Sequence, residues 1–173
     1  MTAKTHSGKA VVTLPTDTRI VITREFDAPK DLVYRAYTEP DLIRRWWSGK
    51  RGEVTSADVD LRVGGRWRYV MMANEGYEVA FHGTFRDIVP NERLVTTEVF
   101  EGAQDSGGYP TDGEDEGGTL DTTTFTEVDG RTTLTTVVDC PSKEVRDAIV
   151  GSGMEEGMQE AMDKLEEVAR SLR

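Results

Sequence analysis

Two carboxylates, Glu98 and Asp121, fall in stretches that otherwise read as β-strand, each among apolar or β-branched residues. If either points into a core it needs a partner, because a buried lone carboxylate is costly and is driven to take up a proton. Arg66 or Arg68 could supply that partner, and such a pair could orient the polar head of a ligand. The ordinary alternative is a set of exposed cross-strand ion pairs, each worth under about 1 kcal/mol, and this is the expected arrangement. His82 could act as an acid or base near neutral pH, with Glu78 projecting on the same face of its strand. Phe81 and Phe85 mark the opposite face as core, so His82 is expected on the solvated side with Glu78, Thr84 and Arg86.

Other chemistries find little support. The chain has two histidines, His6 and His82, and neither has a Cys or His partner at metal-ligand spacing, so no metal site is expected. Cys140 is the single cysteine and closes a strand before Pro141, where a buried structural thiol is expected. The stretch Gly151–Gly157 superficially resembles a dinucleotide loop but lacks the preceding parallel-strand unit. No P-loop and no Gly-x-Ser-x-Gly elbow occurs. No catalytic residue and no cofactor is assigned.

A third group is apolar and aromatic. Trp46, Trp47, Trp67, Tyr69, Phe81, Phe85, Met154, Met158 and Met162 fall on apolar faces of the expected strands and helices. They could line a pocket, for which methionine makes an adaptable wall. They could equally fill a core, the commoner fate of such stripes.

The elements that would position these groups are legible. Arg19–Phe26 alternates as a strand, with Ile20, Ile22 and Arg24 on one face. Asp27-Ala28-Pro29 opens a short helix with the stripe Leu32, Val33, Ala36 and Tyr37. Thr38 and Pro40 are expected to cap and start a second helix, with Leu42, Ile43 and Trp46 inward. Strands are expected over Glu53–Leu61, Arg66–Met72, Tyr77–Ile88, Arg93–Phe100, Thr119–Val128 and Arg131–Cys140. Their connections include Val63–Gly65, Ala73–Gly76, Val89–Glu92 and the type I′ signal Asp129-Gly130. Glu101–Gly118 has no apolar periodicity and reads as a surface loop, with a lid over a pocket as the functional alternative. Ser142 is expected to cap a short helical turn through Ile149. Ser152–Glu155 is expected to be the capping box of a long final helix. That helix would bury Met154, Met158, Ala161, Met162, Leu165, Ala169 and Leu172, and solvate Glu156, Glu160, Asp163, Glu167 and Arg170. Gly157 within it suggests close packing on the sheet or room for a ligand.

At 173 residues, 36% hydrophobic and 31% charged, the composition fits one globular α+β domain over residues 16–173, preceded by a flexible lead-in over residues 1–15. The net charge of −11 makes nucleic acid and anionic membrane surfaces poor partners. With no apolar signal core, no membrane-length apolar run and a lone cysteine, a cytoplasmic location is expected. A homodimer is compatible with the sequence.

Several motifs together resemble one family. Phe26–Pro29, Val33–Thr38, Arg45–Trp47, Gly64–Tyr69, Gly83–Leu94 and Ser152–Met158 are similar to segments of the SRPBCC (START-like) superfamily, in its branch of homologues of the activator of the heat-shock protein 90 ATPase. The resemblance spans Arg19 to Leu172. It implies a helix-grip fold: a curved antiparallel sheet around the long C-terminal helix, two short helices after the first strand, and a hydrophobic cavity between helix and sheet. It also selects the pocket over the plain core for the nine aromatic and methionine residues above. The function expected on this basis is binding of a hydrophobic or amphipathic small molecule. The alternatives are a cyclase- or hydrolase-type enzyme on the same scaffold, using His82, Glu98 or Asp121, and a co-chaperone-like module that binds protein through Trp46-Trp47 and its acidic surface. The resemblance carries over no catalytic motif.

Overall fold

The structure, a computed structural model, describes residues 9–103 and 118–173. Its frame is one antiparallel sheet of eight strands in the order β1-β2-β8-β7-β6-β5-β4-β3. The strands are β1 (Val11–Thr16), β2 (Arg19–Phe26), β3 (Gly52–Val59), β4 (Arg66–Ala73), β5 (Glu78–Val89), β6 (Arg93–Ala103), β7 (Thr119–Val128) and β8 (Arg131–Asp139). Two short helices, α1 (Lys30–Thr38) and α2 (Pro40–Ile43), follow β2, and α3 (Lys143–Gly151) and α4 (Met154–Ser171) close the chain. The sheet curves around α4 in the helix-grip manner. The expected loop falls largely on residues 104–117, outside the described residues. Among the described residues no helix is long and apolar enough to cross a membrane.

Strand periodicity explains the inner face. Ile20, Ile22, Arg24 and Phe26 of β2 are buried at alternate positions, as are Thr132, Leu134, Thr136 and Val138 of β8. Helix α4 presents Ala161, Met162, Leu165, Val168 and Ala169 to this face, the stripe its 3.6-residue period dictates. The β7–β8 turn is type I′, with Asp129 at φ 53° and Gly130 at φ 75°.

Four local expectations are corrected. Val11–Thr16, assigned to the lead-in, is an edge strand, paired through Val11 with Thr23. Its valines favour a strand, but nearly every side chain is exposed and leaves no alternation to read. Thr38 does not cap α2. It is the last residue of α1 and donates its hydroxyl to the Tyr34 carbonyl at 2.7 Å. Ser152 forms no capping box; its hydroxyl donates back to the Ile149 carbonyl at 2.6 Å, and Gly153, at φ 81°, turns the chain into α4 in a left-handed conformation. The room at Gly157 serves neither sheet nor ligand, because the Arg51 guanidinium occupies it, with Nε 3.0 Å from where a Cβ would stand.

Arg24 is the least expected core residue. It is 2% exposed, its guanidinium stands 5.0 Å from the centre of the Phe26 ring, and it pairs with α4 through Asp163 at 2.8 Å and Glu166 at 3.7 Å. Glu166 also accepts from the Asp27 amide at 2.9 Å. A charge-based clasp thus fixes the middle of α4 to β2.

Candidate functional site

The inner face carries polar groups on two adjoining strands. Phe125 anchors β7 inward, so the period of two places Thr123, Asp121 and Thr119 on the same face, and all are buried. Beside it Glu98 of β6 points inward, its strand paired to β7 through Thr96↔Asp121 and Glu98↔Thr119. The register makes Glu98 and Asp121 diagonal neighbours on this face, and each acts on the other's ionisation. Two carboxylates have no hydrogen to donate to one another, so their approach favours a proton on the pair. The Thr119 hydroxyl donates to Asp121 Oδ1 at 2.7 Å, and Thr123 and Thr136 join their hydroxyls at 3.1 Å.

Electrostatics follow from this enclosure. Burial pushes the Glu98 carboxyl well above its ordinary range, and the neighbouring Asp121 pushes it further. Burial also raises Asp121, while Glu98 and the Thr119 hydroxyl pull the other way. Tyr37 is pushed up to about 12, chiefly by burial, while the nearby Thr123 hydroxyl pulls the other way. Tyr69 is driven strongly upward by burial, then by Tyr37 and Glu98, and has no hydrogen-bond partner among the described residues. Tyr37, Tyr69 and Glu98 nevertheless retain accessible surface.

Both carboxyls hold protons to higher pH in the folded chain than in the unfolded one. Their contribution to stability is therefore greatest at low pH and declines as pH rises above the ordinary carboxyl value of 4.5. Glu98→Gln removes one of the two titrating carboxyls and supplies an amide N–H that can donate to the other. It is expected to flatten this decline relative to the parent between about pH 5 and pH 8, as read from denaturant midpoints. An unchanged slope would show that Glu98 is not the proton carrier.

The expectation that Glu98 or Asp121 would form exposed pairs, or pair with Arg66 or Arg68, is overturned. Arg68 lies on the outer face and grips Glu101 in a bidentate pair at 2.9 and 3.0 Å. His82 is on that outer face as expected, but it is not simply solvated: Nδ1 lies 2.9 Å from Glu101 Oε2. Asp58, Arg66, Trp67, Arg68, His82 and Glu101 line an open outer groove of about 430 Å³. Asp121 could have been assigned from its even spacing to Phe125. Glu98 could not, because β6 carries apolar residues on both faces: Val95 and Val99 outward, Leu94 and Phe100 inward.

The aromatic and methionine candidates form two groups. Trp46, Trp67, Phe85 and Met162 are buried. The Trp46 indole donates to the Ala36 carbonyl at 2.8 Å, and Trp67 donates to Thr97 at 3.2 Å. Trp47, Tyr69, Phe81, Met154 and Met158 pack against the core while keeping accessible surface. Trp47 meets Tyr69 and Phe81 edge-on, at centroid distances of 5.4 and 5.5 Å. Tyr37, which was not a candidate, stacks on Trp46 at 5.6 Å and meets Phe125 edge-on at 5.6 Å. Cys140 is buried, and burial raises its thiol.

A curved antiparallel sheet around a C-terminal helix, with short helices after β2, defines the helix-grip class. Within that class, residues 27–170 match the model of the Activator of Hsp90 ATPase homolog 1-like protein family, and the chain belongs to it. Solved structures agree. A protein from Rhodobacter sphaeroides is 26% identical with a TM-score of 0.82, covering 95% of this chain and 100% of its own. One from Mycobacterium smegmatis is 26% identical at a TM-score of 0.78, covering 92% and 96%. An AHSA1-like protein from Aeromonas hydrophila, 23% identical at a TM-score of 0.60 and covering 88% and 93%, shares the fold. No protein of curated function matches significantly.

Proposed function

We propose that the protein binds a hydrophobic or amphipathic small molecule in a cavity between α4 and the concave face of the sheet. The observation that carries this reading is the state of Tyr37, Tyr69 and Glu98. Tyr37 and Tyr69 pack against the core and Glu98 faces inward, yet each keeps accessible surface, as expected of a wall facing an enclosed space, and burial correspondingly raises the ionisation of all three. In this reading Trp47, Tyr69, Phe81, Met154 and Met158 face the ligand, and Trp46, Trp67, Phe85 and Met162 back them. Family membership supports a ligand-binding scaffold of this kind.

Met158 is half-buried on the inward stripe of α4, so an indole there would occupy the proposed space. Met158→Trp is expected to weaken binding of 1-octanol by about ten-fold or more while the circular dichroism spectrum is unchanged. Unaltered affinity, measured by titration calorimetry, would place the site elsewhere.

A further inference from the structure

Strand β1 ends the sheet and, among the described residues, pairs with β2 alone. Which of its backbone groups stay open follows from the ladder. One step beyond the Arg19↔Asp139 pair, the Cys140 N–H donates to the Thr18 carbonyl at 2.8 Å. Even-numbered residues of β2 therefore turn their N–H and C=O toward β8, and odd-numbered ones toward β1. Val11 and Thr13, opposite Thr23 and Val21, direct theirs to β2. Val12, and Leu14 where the register begins to shift, turn theirs outward. This open edge lacks the usual guard of charge. No charged residue occurs from Val11 to Thr16, whereas the opposite edge, β3, carries Glu53 and Asp58, and its self-pairing would set acid against acid. Pro15 has no N–H, but Val12 and Leu14 keep theirs. Val11 and Leu14 are left 58% and 44% exposed, apolar surface that a neighbouring strand would cover.

We infer that β1 is a self-association surface whose occupant is β1 of a second copy of this chain, antiparallel about a two-fold axis through Thr13. In that register Val12 of each copy exchanges backbone hydrogen bonds with Leu14 of the other. Thr13 meets Thr13 as a non-hydrogen-bonded pair, where Cα atoms stand about 4.5 Å apart. The side chains match as well. Val12 lies opposite the buried Ile22, so Val12 and Leu14 share the inner face and meet across the axis. Lys9 faces Asp17 of the second copy at either end of the contact. Symmetry thus supplies the apolar and the charged complement together. The contact is one short strand pair, so the dimer is weak and concentration-dependent.

The test is sedimentation equilibrium of the whole protein from about 10 μM to about 500 μM, at about 0.15 M salt, where repulsion between two chains of −11 is screened beyond about 8 Å. The mass is expected to rise from 19.2 kDa toward twice that value. Val12→Pro deletes an outward N–H and leaves the β2 ladder intact, and it is expected to weaken association about ten-fold or more. Thr13→Cys is expected to form a disulfide-linked dimer under mild oxidation about ten-fold or more faster than Val128→Cys, a control at the exposed end of β7. The buried Cys140 is common to both variants. A mass that stays at 19.2 kDa throughout overturns the inference, as do equal cross-linking rates at the two positions. Association undiminished in Val12→Pro places the contact on another surface and overturns it too.

Discussion

Gly83→Ala is expected to cost about 4 kcal/mol or more, or to abolish folding, a loss that marks only the severest single substitutions. Gly83 stands opposite Trp67 in the β4–β5 register. A Cβ there would strike the Thr97 carbonyl and would lie 2.7 Å from Trp67 Nε1, so backbone and indole would both have to move. That motion would also break the Trp67–Thr97 hydrogen bond and leave a buried donor unsatisfied. Gly151→Ala is the contrast: open space surrounds that position in α3, and the change is expected to be neutral or stabilising by up to about 1 kcal/mol. Denaturant midpoints measure both. A Gly83→Ala protein within about 1 kcal/mol of the parent would mean that β5 and β6 are not in close contact there.

The second large effect concerns Arg24. The double variant Asp163→Asn/Glu166→Gln is expected to lose about 3–5 kcal/mol, because it leaves a guanidinium buried without a counter-charge. Its amides still accept hydrogen bonds, including that from the Asp27 amide, so the loss reports charge. Arg24→Met is expected to lie within about 1 kcal/mol of the parent: it removes the buried charge and its desolvation cost, and fills similar volume. Asp163 and Glu166 are 56% and 16% exposed at the side chain, so both can rehydrate once Arg24 is gone. If Arg24→Met proved the more damaging change, the clasp would be a source of net stability and not a device that sets the position of α4.

Most of the fold could be read from the sequence because its signals were local. Alternation marked Arg19–Phe26, Arg66–Met72 and Tyr77–Ile88, turn signals bounded four further strands, Asp129-Gly130 fixed one hairpin, and the methionine and leucine stripe of α4 declared its buried face. What could not be read depended on contacts distant in sequence. Arg24 was placed on one face with Ile20 and Ile22, but nothing local announced that this face would be buried or that Asp163, about 140 residues later, would pair with it. Ser152–Glu155 satisfied the spacing of a capping box, yet the approach of α3 to α4 required a left-handed Gly153 instead. At the site, the aromatic and methionine candidates were recognised as a set. The two inward acids were named but assigned to the surface, because the inner face of β6 cannot be told from its outer face by hydrophobicity alone. Tyr37 was seen only as part of the α1 stripe; its position between Trp46 and Phe125 depends on how α1 packs on β7.

The most direct test of the binding account is a nuclear magnetic resonance titration of methyl-labelled methionines with 1-octanol, whose neutral head makes the result independent of the charge on Glu98 and Asp121. Met154, Met158 and Met162 lie on the helix side of the core, while Met72 is exposed on the outer face of β4. The account predicts saturable shifts at Met158 and its two helix neighbours and none at Met72. No saturable shift at any methyl of α4, or shifts confined to Met72, would contradict it.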